Sequence, residues 1–94
     1  MKIEWSDAAL ADLDRFVDFL NQEHPSLAAR AAAEIISKAQ VLSEYPRLGR
    51  PIRGREEYRQ IVLQVLRASY IFQYRYDGDR LVMLRVFHGR ELRE

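Results

Sequence analysis

The sequence predicts an α+β domain: a short first strand, a helical hairpin packed on an antiparallel sheet, in the order β-α-α-β-β-β. Three observations carry this. Apolar residues recur at three- and four-residue spacing from about residue 6 to residue 44. From about residue 58 to residue 88 the period changes to two. Between the last two alternating runs lies Tyr76-Asp77-Gly78-Asp79-Arg80, where Asp-Gly supplies the positive φ of a hairpin turn. Helices grouped ahead of an antiparallel meander point to α+β rather than to a doubly wound sheet.

The elements follow in order. Lys2 to Trp5 reads as a short strand, and Ser6 is a good N-cap with Asp7 in the first helical turn, where the dipole favours an acid. Ala9, Leu13, Phe16, Val17 and Leu20 form one apolar face, and Asp12, Asp14, Arg15 and Asp18 occupy much of the rest. This helix ends near Asn21 to Glu23. Ser26 can cap a second helix whose main face is Leu27, Ala31, Ile35, Ala39 and Leu42, widened by Ala28, Ala32 and Ile36. Its alanines favour helix and let another backbone approach closely. Tyr45-Pro46 ends it, because a residue before proline avoids helical angles.

Residues 46–57 read as a loop with two prolines, two glycines and four arginines. In the strand after it, Ile61, Leu63 and Val65 share one side; in the next, Tyr70, Phe72, Tyr74 and Tyr76 do. In the last strand, strict alternation sets Val82, Leu84, Val86 and His88 against Leu81, Met83, Arg85 and Phe87. Val82, Leu84 and Val86 are expected to face the helices, with Leu13, Val17, Ile35 and Leu42.

Ninety-four residues make one small domain, 1–94, and an apolar content of 48% argues against disorder. No apolar run approaches the roughly 18 residues needed to cross a bilayer. Acids from Glu4 onward do not fit a signal peptide, and no cysteine supplies a disulfide framework. The expected setting is cytoplasmic, without membrane association. No metal, nucleotide or catalytic-triad motif occurs, so no cofactor or metal is expected.

The net charge of +1 hides an asymmetry. Acids dominate residues 1–46, whereas residues 47–94 carry eleven arginines and no lysine. Arginine offers a planar five-donor fork suited to phosphate, carboxylate and aromatic faces. A molecule with an acidic helical side and a basic sheet side is expected.

These landmarks, "WSDAALADLDRFVDFL", "LSEYPRLGRPI", "YRQIVL" and "SYIFQYRYDGDRLVMLRVFHGRE", together resemble the RelE/ParE superfamily of toxins from bacterial type II toxin–antitoxin systems over essentially the whole chain. "YPRLGRP" and "RVFHGR" are similar to the ParE side of it. That resemblance implies a toxin neutralised by a cognate antitoxin, commonly one with a ribbon-helix-helix part and a tail that wraps the toxin. ParE-type toxins are implied to trap DNA gyrase without being nucleases, whereas RelE-type toxins cut messenger RNA in the ribosomal A site. A degenerate toxin that only binds its antitoxin is a third reading.

Metal-independent RNA cleavage needs a base, cationic donors and an acid near one phosphate. Arg67, His88 and Arg90 are the candidates for a nuclease: His88 for proton transfer, and the arginines where the resemblance places functional ones. RelE-type enzymes usually add lysines and a late stacking aromatic. Here no lysine follows Lys38 and no aromatic follows Phe87, which favours a binder. A binder would spread its target contacts over Arg59, Arg67, Arg85, His88, Arg90 and Arg93. The plainer alternatives are that His88 caps the core through a backbone hydrogen bond and that Arg85 lies along an exposed sheet face.

Overall fold

A computed structural model describes residues 1–92. It contains β1 (Ile3–Trp5), α1 (Asp7–Glu23), α2 (Pro25–Ala39), the single turn α3 (Val41–Glu44), β2 (Arg50–Ile52), β3 (Arg55–Val65), β4 (Ala68–Tyr76), β5 (Leu81–His88) and a 3-10 turn over Gly89–Leu92. The five strands form one sheet in the order β1-β5-β4-β3-β2. The central pairings are antiparallel as expected, and β1 adds at the edge, parallel to β5. No helix among the described residues is long and apolar enough to cross a membrane.

The helices cover one face of the sheet. Ala9, Leu13 and Phe16 of α1 and Ala28, Ala31, Ile35 and Ala39 of α2 are buried, as is Leu42 of α3. Val17 is only half-buried, and Phe16 takes the deeper position expected of it. Helix α2 starts at Pro25, with His24 as N-cap and no side-chain cap, so Ser26 lies inside the first turn and is not the cap. Proline lacks the N–H that a first-turn residue leaves unpaired, so it opens the helix two residues earlier than a Ser26 cap would.

The loop expected over 46–57 contains a strand. Arg50 pairs with Gln60 across an antiparallel ladder, and Gly54, with φ of 76°, turns the chain into β3. Prolines and arginines hide so short an edge strand from a periodicity reading. What fastens this segment is Tyr74, fully buried, whose hydroxyl donates to Pro46 O at 2.7 Å and accepts from Gly49 N–H at 2.9 Å. Glycine is required at 49 because a Cβ there would lie 2.7 Å from that hydroxyl and 2.9 Å from Gln60 O. Tyr74→Phe strands one buried and one half-buried backbone group, so it is expected to cost about 1–3 kcal/mol, measured by urea unfolding. A loss near zero would show that water takes over the hydroxyl's role.

The last strand departs from strict alternation. Tyr70, Phe72, Tyr74 and Tyr76 face His88, Val86, Met83 and Leu81, so one extra residue sits in β5 opposite Gln73/Tyr74. This bulge reverses the parity of the strand. Leu81, Met83 and Val86 are therefore buried, while Val82 and Leu84 are half-buried, contrary to the expected face. The bulge is also where α1 docks. Ser6 Oγ caps α1 by accepting from Ala9 N–H and donates to Leu84 O, both at 3.0 Å. Asp12 accepts Val86 N–H at 2.8 Å.

Candidate functional site

A groove of about 810 Å³ opens between the helical hairpin, the β3–β4 turn and the end of β5. Phe16, Phe19, Leu20, Leu27 and Leu66 give it an apolar lining, and Arg67, His88 and Arg90 also border it. The three residues read as a possible nuclease set are thus brought to one place by three different segments. Arg67 lies in the β3–β4 turn, His88 ends β5, and Arg90 follows in the 3-10 turn.

Their surroundings differ. His88 is half-buried, edge-on to Tyr70 with ring centroids 5.2 Å apart, and its Nδ1 accepts Arg90 N–H at 3.2 Å. This is the backbone hydrogen bond of the plainer reading, made to the next turn. Arg67 and Arg90 are exposed, and neither makes an ion pair with another described residue. Tyr70 is buried, and that burial, with Glu91 adding to it, pushes its hydroxyl above the ordinary tyrosine range.

Two other expected target contacts belong to the fold. Arg59, the cross-strand partner of Tyr74, donates to Gly49 O at 2.8 Å and Arg47 O at 3.2 Å, so the two side chains together clamp the 46–50 segment. Arg85 does not lie free along the sheet. It grips Asp12 of α1 with Nε and Nη2 at 2.8 and 3.0 Å and stacks over Phe87 at 4.7 Å. Its strand partner is Gln73, so its parity is the one expected; β1 pairs only with Leu81 to Met83, and past that point the open edge of β5 lets the guanidinium reach α1. Arg93 lies outside the described residues.

Asp12, read as part of the polar face, is the centre of a network. It is 1% exposed and also accepts Arg15 Nη1 at 2.6 Å. Burial pushes its carboxyl up, but the hydrogen bonds from Arg85, Arg15 and Val86 N–H outweigh it and bring it down to about 2. Arg15 in turn holds Glu91 with Nε and Nη2 at 3.0 and 3.1 Å, and Glu91 accepts His88 N–H at 2.7 Å. Burial raises Glu91, and these donors pull it below the usual carboxylate range. The network fastens the turn that carries Arg90 to α1. Its one sequence signal was that Asp12 lies three residues after Ala9 and four before Phe16, on the buried face.

The expected basic sheet side is only partly realised. Arg75 pairs with Glu57 and Asp77, and Arg80 with Glu4, so several arginines are neutralised locally. The cationic character concentrates at the groove and along the β2 edge.

Compared with known families, residues 3–93 match the ParE toxin of type II toxin–antitoxin systems (parDE). The chain belongs to the ParE toxin family. It is 34% identical over 90 residues to the Sinorhizobium fredii protein Y4kP, covering 96% of this chain and 90% of that one. It is 32% identical over 91 residues to toxin RelE3 of Caulobacter vibrioides, covering 97% of each. A chain of the chromosomal ParDE TA system from P. aeruginosa superposes with a TM-score of 0.74 at 23% identity, over 94% of this chain and 95% of that one, which shows a shared fold. The protein is thus the toxin component of a type II toxin–antitoxin system, and a cognate antitoxin is its implied partner.

Proposed function

We propose that the toxin acts by binding rather than cutting, with DNA gyrase as its target and the groove as its contact surface. The observation that carries this is the groove's composition: three exposed arginines, of which Arg15 is paired with Asp12 and Glu91, beside an apolar lining, with one side chain of near-neutral intrinsic pKa. In-line cleavage of RNA needs both a proton acceptor and a proton donor. The other ionisable groups are poorly suited to share that work with His88. Glu91 is tied to Arg15 and lowered, Tyr70 is buried and raised, and arginine stays protonated.

Expression of the toxin alone provides the test. Double-strand breaks and a DNA-damage response with intact messages are expected. Codon-positioned message cuts would establish the ribosome-dependent ribonuclease reading, which the convergence of Arg67, His88 and Arg90 on one groove favours. Growth without arrest would leave a protein that only binds its antitoxin.

For the antitoxin, we propose a ribbon-helix-helix protein with an acidic tail. Arg50, Pro51 and Ile52 of the edge strand are all exposed, and Arg47, Arg53 and Arg55 flank them. An added strand of acidic character suits such an edge. The protein encoded beside the toxin gene is expected to co-elute with it, less tightly as salt rises. Separate elution at low salt would refute the pairing.

A further inference from the structure

Two residues, Leu66 and Arg67, close the β3–β4 hairpin, since Val65 pairs with Ala68. Their φ angles are 50° and 71°, and among the described residues they are the non-glycines with left-handed backbone. A two-residue hairpin joining twisted strands demands this conformation, and Asn-Gly meets it without crowding a Cβ against the backbone. Elsewhere the sheet uses glycine for the same need, at Gly54 and Gly78, with φ of 76° and 98°. At both glycines an added Cβ would meet open space. The chain therefore places glycine at two turns where a Cβ would meet open space, and a bulky pair at the turn that borders the apolar groove.

Packing does not account for both members of that pair. Leu66 is half-buried against the core and lines the groove, so part of its side chain remains available there. Arg67 is exposed and makes no ion pair with another described residue. Residues kept in sparsely populated backbone regions cluster at binding sites, where the surrounding structure holds them.

We propose that the Leu66–Arg67 turn is a target-contact element kept at a cost in stability. Leu66 sets which surface the groove accepts and fixes Arg67 beside it. The matching surface on the target presents an apolar side chain next to an acidic one, because the turn pairs an apolar contact with an unneutralised cation. The proposal rests on the groove being the toxic surface, and the occupant it names there is a protein.

The test pairs thermal melting of the purified chain with the inducer level needed for growth arrest. Arg67→Gly relieves the left-handed backbone and is expected to melt roughly 4–8 °C above the wild type. Leu66→Asn brings in a residue that tolerates this backbone but removes the apolar contact, and is expected to melt within about that margin. Both are expected to weaken arrest by roughly 10-fold or more. Leu66→Met, which restores an apolar side chain, is expected to recover it.

A turn with a purely structural role gives the opposite result, with stabilised variants as toxic as the parent. Arrest by Leu66→Asn or Arg67→Gly at wild-type induction overturns the proposal, as does a lower melting temperature for Arg67→Gly. A wild type that arrests growth by cutting messages overturns the gyrase reading and this one with it, whereas double-strand breaks with undiminished arrest by both variants overturn this one alone. A wild type that arrests nothing overturns both.

Discussion

Asp12→Asn is expected to lower the unfolding free energy by about 2–4 kcal/mol near neutral pH, the largest effect of any single substitution proposed for stability. The side chain is buried and accepts four donors: Arg85 Nε and Nη2, Arg15 Nη1 and Val86 N–H. Asparagine keeps the shape but has one acceptor oxygen, and its amide nitrogen would face a guanidinium. The loss also uncouples α1 from the β5 bulge, the junction on which the helical layer is registered. For a chain of this size, each kcal/mol corresponds to roughly 4–8 °C in Tm.

The sign of the pH dependence follows from the carboxyl's low value. The hydrogen bonds from Arg85, Arg15 and Val86 N–H hold the Asp12 carboxyl down at about 2, below the 3.8 of an ordinary aspartate. A depressed folded pKa contributes stability that is fully present above the unfolded value and lost as pH falls through the folded one. That contribution is about 2 kcal/mol, and the window runs from about pH 4 down to about pH 2. Urea unfolding of parent and variant is expected to show a gap that is widest above about pH 5 and shrinks toward about pH 2. An unchanged gap across that range would mean that Asp12 acts through packing and not through charge.

The fold was legible because its periodicities are strong. Ala9, Leu13, Ile35 and Leu42 declared a helical layer, and the even-numbered aromatics from Tyr70 to Tyr76 declared the inward side of a strand. What the sequence hid was every feature made by a long-range partner. The bulge in β5 leaves no local mark, because Leu81 to Val86 is apolar on both sides but for Arg85, and either parity satisfies the pattern. Asp12 looks like its neighbours Asp14 and Asp18 until Arg85, 73 residues away, arrives beside it.

Site residues were legible by charge and not by role. Arg67, His88 and Arg90 do meet at one groove, yet Arg59 and Arg85 are drawn into the fold by backbone carbonyls and a carboxylate that no local window contains. The apolar half of the groove was invisible for a similar reason. Phe19 is 63% exposed and Leu27 is half-buried, but on paper both read as ordinary members of helices. Leu66-Arg67 carried a signal that went unread: two alternating runs separated by two residues with neither glycine nor asparagine between them.

Charge and chemistry at the groove separate in one comparison. Combined Arg67→Ala and Arg90→Ala is expected to weaken target binding by roughly 10- to 100-fold, because arginines at an apolar contact rank among the residues whose truncation costs most. Both side chains are exposed and outside the Asp12 and Tyr74 networks, so folding and antitoxin binding are expected to survive. His88→Gln keeps polarity and approximate size but cannot carry a proton near neutral pH, and it is expected to leave arrest largely intact. A nuclease that lost its general acid or base would instead fall by about 10²–10⁴-fold. Growth arrest measured against toxin level, with antitoxin co-elution and melting as folding controls, distinguishes the two. Loss of arrest in His88→Gln with both controls unchanged would place proton transfer at this groove and the toxin among the ribonucleases.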